Sequence, residues 1–99
     1  MIVPYAYEEI QVTDATPVSL TASKVNGMAN RQGHVDILVT GYPVAYRKDG
    51  TAPTNATKQV AQIGDVIQCK NRISASQFQA IGIGAGGTAY LCATYFQRQ

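Results

Sequence analysis

His34 is the only histidine in the chain, so a nucleophilic triad or a Cys-His pair has to run through it, with Asp36 two residues away and Cys69 or Cys92 as candidate nucleophile. The surrounding pattern argues against that chemistry. Residues 34–40 alternate apolar Val35, Ile37 and Val39 with other side chains, as a half-buried strand does, and this sets His34 and Asp36 on its second face as solvent-facing partners. Glu8 and Glu9 are adjacent in another alternating stretch. Successive strand residues point to opposite faces, so these carboxylates do not converge as acid and base. Gly82, Gly84, Gly86 and Gly87 imitate a nucleotide-binding loop only as letters, because such a loop opens a helix whose amides hold the phosphate, and a strand pattern follows here. Neither cysteine lies in a Cys-x-x-Cys pair or near a histidine at metal-ligand spacing. The expectation is a non-enzymatic chain with no catalytic, cofactor-binding or metal site.

Composition narrows the class further. The 99 residues suit one small domain, residues 1–99, with a single core. Charged residues make up 14%, against about 25% in an average soluble domain. Lys24, Arg31, Arg47, Lys48, Lys58, Lys70, Arg72 and Arg98 are scattered and leave a net charge of only +2, so the concentrated positive field that tracks a phosphate backbone is missing. Neither nucleic acid nor membrane is an expected partner, since no run approaches the roughly 20 apolar residues of a membrane span. The first residues lack a secretory pattern, so synthesis and retention in a reducing cytosol are expected. Cys69 and Cys92 then read as two buried thiols, with a disulfide between neighbouring strands left open.

The elements that must position these groups are strands. Period-two alternation marks residues 8–13, 18–22, 34–40, 44–47, 60–63 and 66–70. Residues 78–83 and 88–96, joined by Gly84-Ala85-Gly86-Gly87, read as a long antiparallel hairpin whose second arm is apolar on both faces. Such a strand is central in a sandwich or covered by another subunit. Residues 24–32 read as a loop in which Val25 and Met28 permit one helical turn, and residues 51–58 as a surface loop. Residues 71–77 read as a polar connection anchored by Ile73. The fold class is all-β: an antiparallel β-sandwich or small barrel of about seven to eight short strands.

Adhesive surface is the remaining resource. Six tyrosines accompany only two phenylalanines and no tryptophan, favouring side chains with an apolar body and a hydrogen-bonding tip. Residues 1–7 carry Ile2, Val3, Tyr5 and Tyr7 without a charge. Left free, they would expose apolar surface, so they pack either as a first strand of their own domain or as an arm on a neighbouring subunit.

From Val39 onward the order of pieces has a likeness. Tyr46-Arg47-Lys48-Asp49-Gly50-Thr51-Ala52-Pro53-Thr54, the Gly64-Asp65 turn, Phe78-Gln79-Ala80-Ile81 and the closing apolar run 88–95 together resemble small structural proteins of tailed bacteriophages and prophages. The resemblance implies a β-sandwich component of the virion without enzymatic activity, made in the bacterial host cytoplasm. Its implied place is the capsid surface or the head-tail region, as a decoration, cement or joining subunit. Its implied partners are capsid or neck proteins of the same particle and further copies of itself, as a homo-oligomer. Ile2, Val3, Tyr5, Tyr7, Pro53 and Thr54 are then the interface candidates, while Tyr46, Arg47, Asp49 and Gly50 fix a turn through local hydrogen bonds. The alternative is a small adhesion or carbohydrate-binding module in which Tyr42, Tyr90 or Tyr95 stacks on sugars.

Overall fold

The computed structural model describes residues 2–26, 33–54, 57–83 and 88–98. Within them the elements run β1 (Ile2–Val12), β2 (Val18–Ser19), α1 (Ala22–Asn26), β3 (His34–Thr40), β4 (Val44–Arg47), β5 (Val60–Ala61), β6 (Val66–Cys69), α2 (Arg72–Gln77), β7 (Gln79–Gly82) and β8 (Ala89–Arg98). They build two four-stranded antiparallel sheets, β1-β8-β3-β6 and β2-β7-β4-β5. The architecture is an all-β sandwich and not a closed barrel.

Register explains which side chains form the core. In the first sheet Ile10 lies opposite Leu91 and Leu91 opposite Val39, while Ala93 lies opposite Ile37 and Ile37 opposite Ile67. Tyr95, Val35 and Cys69 form a further row. These side chains are buried, apart from the half-buried Ile10, and they meet Val44, Ala61 and Ala80 of the second sheet and Phe78 at the end of α2. Burying one of the larger aliphatic or aromatic side chains contributes about 1.5–3 kcal/mol, so this β-branched alternation is what selects the sandwich. The sheets are tied at one corner, where Gly82 N–H donates to the Thr13 carbonyl at 2.9 Å, next to the end of β1. A Cβ at Gly82 would sit 3.1 Å from the Thr13 carbonyl carbon, so that approach suits glycine.

Several expectations are corrected by this pairing. The anticipated hairpin of 78–83 with 88–96 does not form: β7 pairs with β2 and β4, whereas β8 enters the other sheet between β1 and β3. The connection therefore crosses between layers; its residues 84–87 lie outside the described residues. The strand expected over 18–22 stops at Ser19, because Thr21 caps a helical turn: Lys24 and Val25 N–H both donate to its carbonyl at 3.1 Å. Val25 is buried beneath that turn, and Met28 lies outside the described residues. Residues 72–77 form a helix, N-capped by Asn71, whose Oδ1 accepts from Ser74 N–H at 2.8 Å. Ala75 and Phe78 anchor it in the core, and Ile73, expected to do so, is 66% exposed. Both cysteines are free: Cys69 faces the core, but Cys92 sits half-buried on the opposite side of the sheet, which leaves the two thiols on different faces.

Candidate functional site

The outer face of the first sheet is where apolar side chains remain uncovered. Alternation sends every second residue of β1, β8, β3 and β6 away from the core, and register sorts them into rows. Tyr7, Thr94, Asp36 and Gln68 make one row; Glu9, Cys92, Leu38 and Val66 make the next; Gln11, Tyr90 and Thr40 make a third. Phe96 and His34 lie beyond the first. Tyr7 is 53% exposed, Leu38 39%, Val66 59% and Tyr90 43%. A strand face turned to water ordinarily carries polar residues, so four large exposed side chains on one sheet make this face the candidate for an interaction surface.

Polar groups on this face are tied to one another and frame the apolar centre. Tyr7 Oη donates to Glu9 Oε2 at 2.9 Å. Hydrogen bonding with the Cys92 side chain, and after it with Glu9, holds the Tyr7 hydroxyl above its ordinary ionisation range. Gln68 Nε2 donates to Asp36 Oδ1 at 3.1 Å, and His34 Nε2 lies 3.8 Å from Asp36 Oδ2. The His34 ring stacks on Phe96 with centroids 4.7 Å apart and planes within 13°. Cys92 and His34 do not form a nucleophile-base pair. Cys92 lies in the row of Leu38, and His34 is four residues along β3, about 13 Å at strand rise. Cys69 is turned inward, and burial pushes its thiol up to about 11, so it is inert as a thiolate at neutral pH. Among the described residues no cavity and no cluster of metal-ligating side chains accompanies the face.

The Tyr46–Thr54 segment lies elsewhere, at the end of β4. Arg47 Nε donates to Asp49 Oδ1 at 3.2 Å, a second guanidinium nitrogen donates to Oδ2, and Asp49 Oδ1 also accepts Thr51 N–H at 3.1 Å. Held first by Arg47, the Asp49 carboxyl ionises well below its usual range, at about 2. Gly50 N–H donates to the Gln77 carbonyl at 3.2 Å, which fastens the turn to α2. Tyr46 is half-buried, with its ring against Phe78 at 6.1 Å.

The interface candidates divide. Tyr7 is on the exposed face and Thr54 is exposed, but Pro53 is fully buried, its ring packed inside the fold and closed to any other chain. Ile2, Val3 and Tyr5 have their backbones in β1 opposite or beside β8, and their side chains lie outside the described residues. Residues 2–7 thus pair with β8 of their own chain. Of the tyrosines considered for sugar stacking, Tyr42 and Tyr90 are exposed; Tyr95 is wholly buried with its hydroxyl on Glu8 and cannot stack on a ligand. Val66 and Cys92 were not read from the sequence as parts of an exposed face; Cys92 was considered only as a candidate nucleophile and a buried thiol. Their signal was the adjacent apolar pair Val66-Ile67, one member of which has to face outward on a strand, and the same holds for Leu38 between Ile37 and Val39. No family model, curated protein or solved structure matches the chain.

Proposed function

We propose that this chain is a non-enzymatic structural subunit of a tailed-phage virion, held on the capsid surface or at the head-tail region and associating with further copies of itself. The observation that carries the adhesive part of this reading is the uncovered face with Tyr7, Leu38, Val66 and Tyr90. A small sandwich with one apolar sheet face loses free energy to water until another surface covers it. Symmetric assemblies suit such a subunit, because copies at equivalent sites multiply a modest contact. The particle itself is suggested by the ordered likeness from Val39 onward, whose Tyr46–Thr54 part sits at a turn braced by the Arg47–Asp49 pair.

Mass spectrometry and antibody labelling of purified particles test the reading. Stoichiometric presence on the particle supports it, and absence from particles whose other structural proteins are all recovered overturns it. The second reading, a carbohydrate-binding module, rests on the exposed rings of Tyr42 and Tyr90. A strictly monomeric protein that binds defined glycans, with loss of binding on Tyr42→Ala or Tyr90→Ala, would establish that alternative instead.

A further inference from the structure

We infer that the corner of the sandwich where the ends of β4, β5 and β6 adjoin α2 is a docking surface for another protein chain, one that presents clustered carboxylates around an apolar side chain. The eight basic residues are scattered in the sequence, and the fold gathers four of them here. Lys48 follows β4, and its Nζ donates to the Gln68 carbonyl of β6 at 3.2 Å. Lys58 precedes Gln59, whose carbonyl accepts Tyr46 N–H at 3.0 Å, so it emerges beside the end of β4. Lys70 and Arg72 follow β6, and the chain from Gln68 to Arg72 spans at most about 14 Å, so both stay close to the carbonyl that holds Lys48. The turn after β4 is fastened to α2 at the same corner, where Gly50 N–H donates to the Gln77 carbonyl at 3.2 Å.

This charge is not cancelled locally. Among the described residues the ion pairs are His34–Asp36 and Arg47–Asp49, so Lys48, Lys58, Lys70 and Arg72 hold no carboxylate of their own chain. The two acids nearby are engaged, Asp49 by Arg47 and Asp36 by the Gln68 amide, with His34 at 3.8 Å. Elsewhere Lys24, Arg31 and Arg98 stand against Glu8, Glu9, Asp14, Asp36 and Asp65, so the positive excess of the whole chain lies at this corner and the remainder is acidic. Opposite charge on a partner is what such a surface attracts and orients.

Ile73 decides between kinds of partner. It follows Arg72 on α2 and is 66% exposed, outside the core. A nucleic acid offers phosphates and, running on past the corner, meets the acidic remainder of the chain. A protein segment offers carboxylates and an apolar side chain together, within the span of one corner, and covering Ile73 adds the water-excluding contact that charge alone lacks. Five side chains are few against the roughly 20–30 residues per side of a standard interface, so the contact is weak and sensitive to salt. Such a surface does not depend on the virion reading, since it fits any protein with that chemistry.

The experiment is fluorescence anisotropy with the whole chain titrated into labelled probes: a short peptide of Asp and Glu around two leucines, the same peptide with serines for the leucines, and a single-stranded oligonucleotide of equal charge. The expected result is tightest binding of the leucine peptide, lost progressively as salt is added to the wild-type chain, a readout that needs no variant. Lys70→Glu combined with Arg72→Glu, both exposed positions, should weaken it at least about tenfold. Ile73→Ser should weaken the leucine peptide and leave the serine peptide unchanged, while Ile63→Ser, exposed beyond the other end of β6, should alter neither. No binding of the acidic peptides at low salt would overturn the inference, as would binding that withstands the double charge reversal. An oligonucleotide bound more tightly than either peptide would replace the protein partner with nucleic acid. Recovery of the chain on particles decides the virion reading separately, whichever probe binds.

Discussion

The Tyr95 hydroxyl, at the tip of a fully buried side chain, donates to the Glu8 carboxylate on the neighbouring strand. Tyr95 lies opposite Ala6 and Glu8 opposite Ala93, so the two are diagonal neighbours on the inner side of the β1–β8 ladder. The same carboxylate accepts the Thr21 N–H at 3.2 Å and the Thr21 hydroxyl. One acid therefore joins the edge strand, the central strand and the start of α1. Tyr95→Phe keeps the ring in the core and removes one donor to a charged acceptor, with an expected loss of about 1.5–3 kcal/mol in urea denaturation. A loss below about 0.5 kcal/mol would show that the contact contributes nothing net.

Gly41 and Gly64 offer a matched comparison, since both hold positive φ, at 84° and 92°. An alanine at either position meets the left-handed penalty of about 1–2 kcal/mol. At Gly41 the new Cβ would also lie 2.6 Å from the Thr88 carbonyl oxygen, while at Gly64 nothing lies within 4 Å. Gly41→Ala should therefore be the costlier change, at about 3 kcal/mol or more against about 1–2 for Gly64→Ala. Equal losses in thermal denaturation would remove the steric account of the Gly41 corner.

Acid should loosen the turn after β4. The Asp49 carboxyl ionises at about 2 in the fold, lowered by Arg47 and then by Thr51 N–H. A lowered folded value contributes stability that is present above the unfolded value near 3.9 and is lost as pH falls toward 2. The pH dependence of stability between about 4 and 2 should therefore become shallower in Asp49→Asn. An unchanged acid limb would mean that this exposed pair is screened out.

The two thiols should separate by reactivity. Cys92 is half-buried on the outer face, and Cys69 is sealed in the core with its ionisation pushed up to about 11. Mass spectrometry after brief maleimide treatment of the native protein near pH 7 should find one adduct, at Cys92, and two adducts only in denaturant. Rapid native labelling at Cys69 would mean that the β3–β6 edge opens readily.

Residues 34–40 and 44–47 were legible as strands because β-branched alternation is a local signal, and both elements form over those bounds. The helix at 72–77 was not, since Arg72-Ile73-Ser74-Ala75-Ser76-Gln77 has no apolar period; the Asn71 cap and the burial of Ala75 and Phe78 hold it instead. The hairpin expected between 78–83 and 88–96 failed for a related reason. A glycine-rich turn specifies that the chain reverses, but the partner of β8 is chosen by burial of Leu91, Ala93 and Tyr95 against residues distant in sequence. The exposed face was half legible. Leu38 stood out as a break in alternation, yet its meeting with Val66 across β3 and β6 depends on register, which no local pattern carries.

The central position of β8 also sets the order of events during synthesis. Its partners are β1, from the opposite end of the sequence, and β3, so neither ladder exists until residues 89–98 have left the ribosome. Until then β1 and β3 are strands waiting for a wedge, with their apolar sides open to chaperones and to one another's copies. Completion by a middle strand that arrives after both of its partners places this chain among slow, non-local folders, with times of milliseconds to seconds.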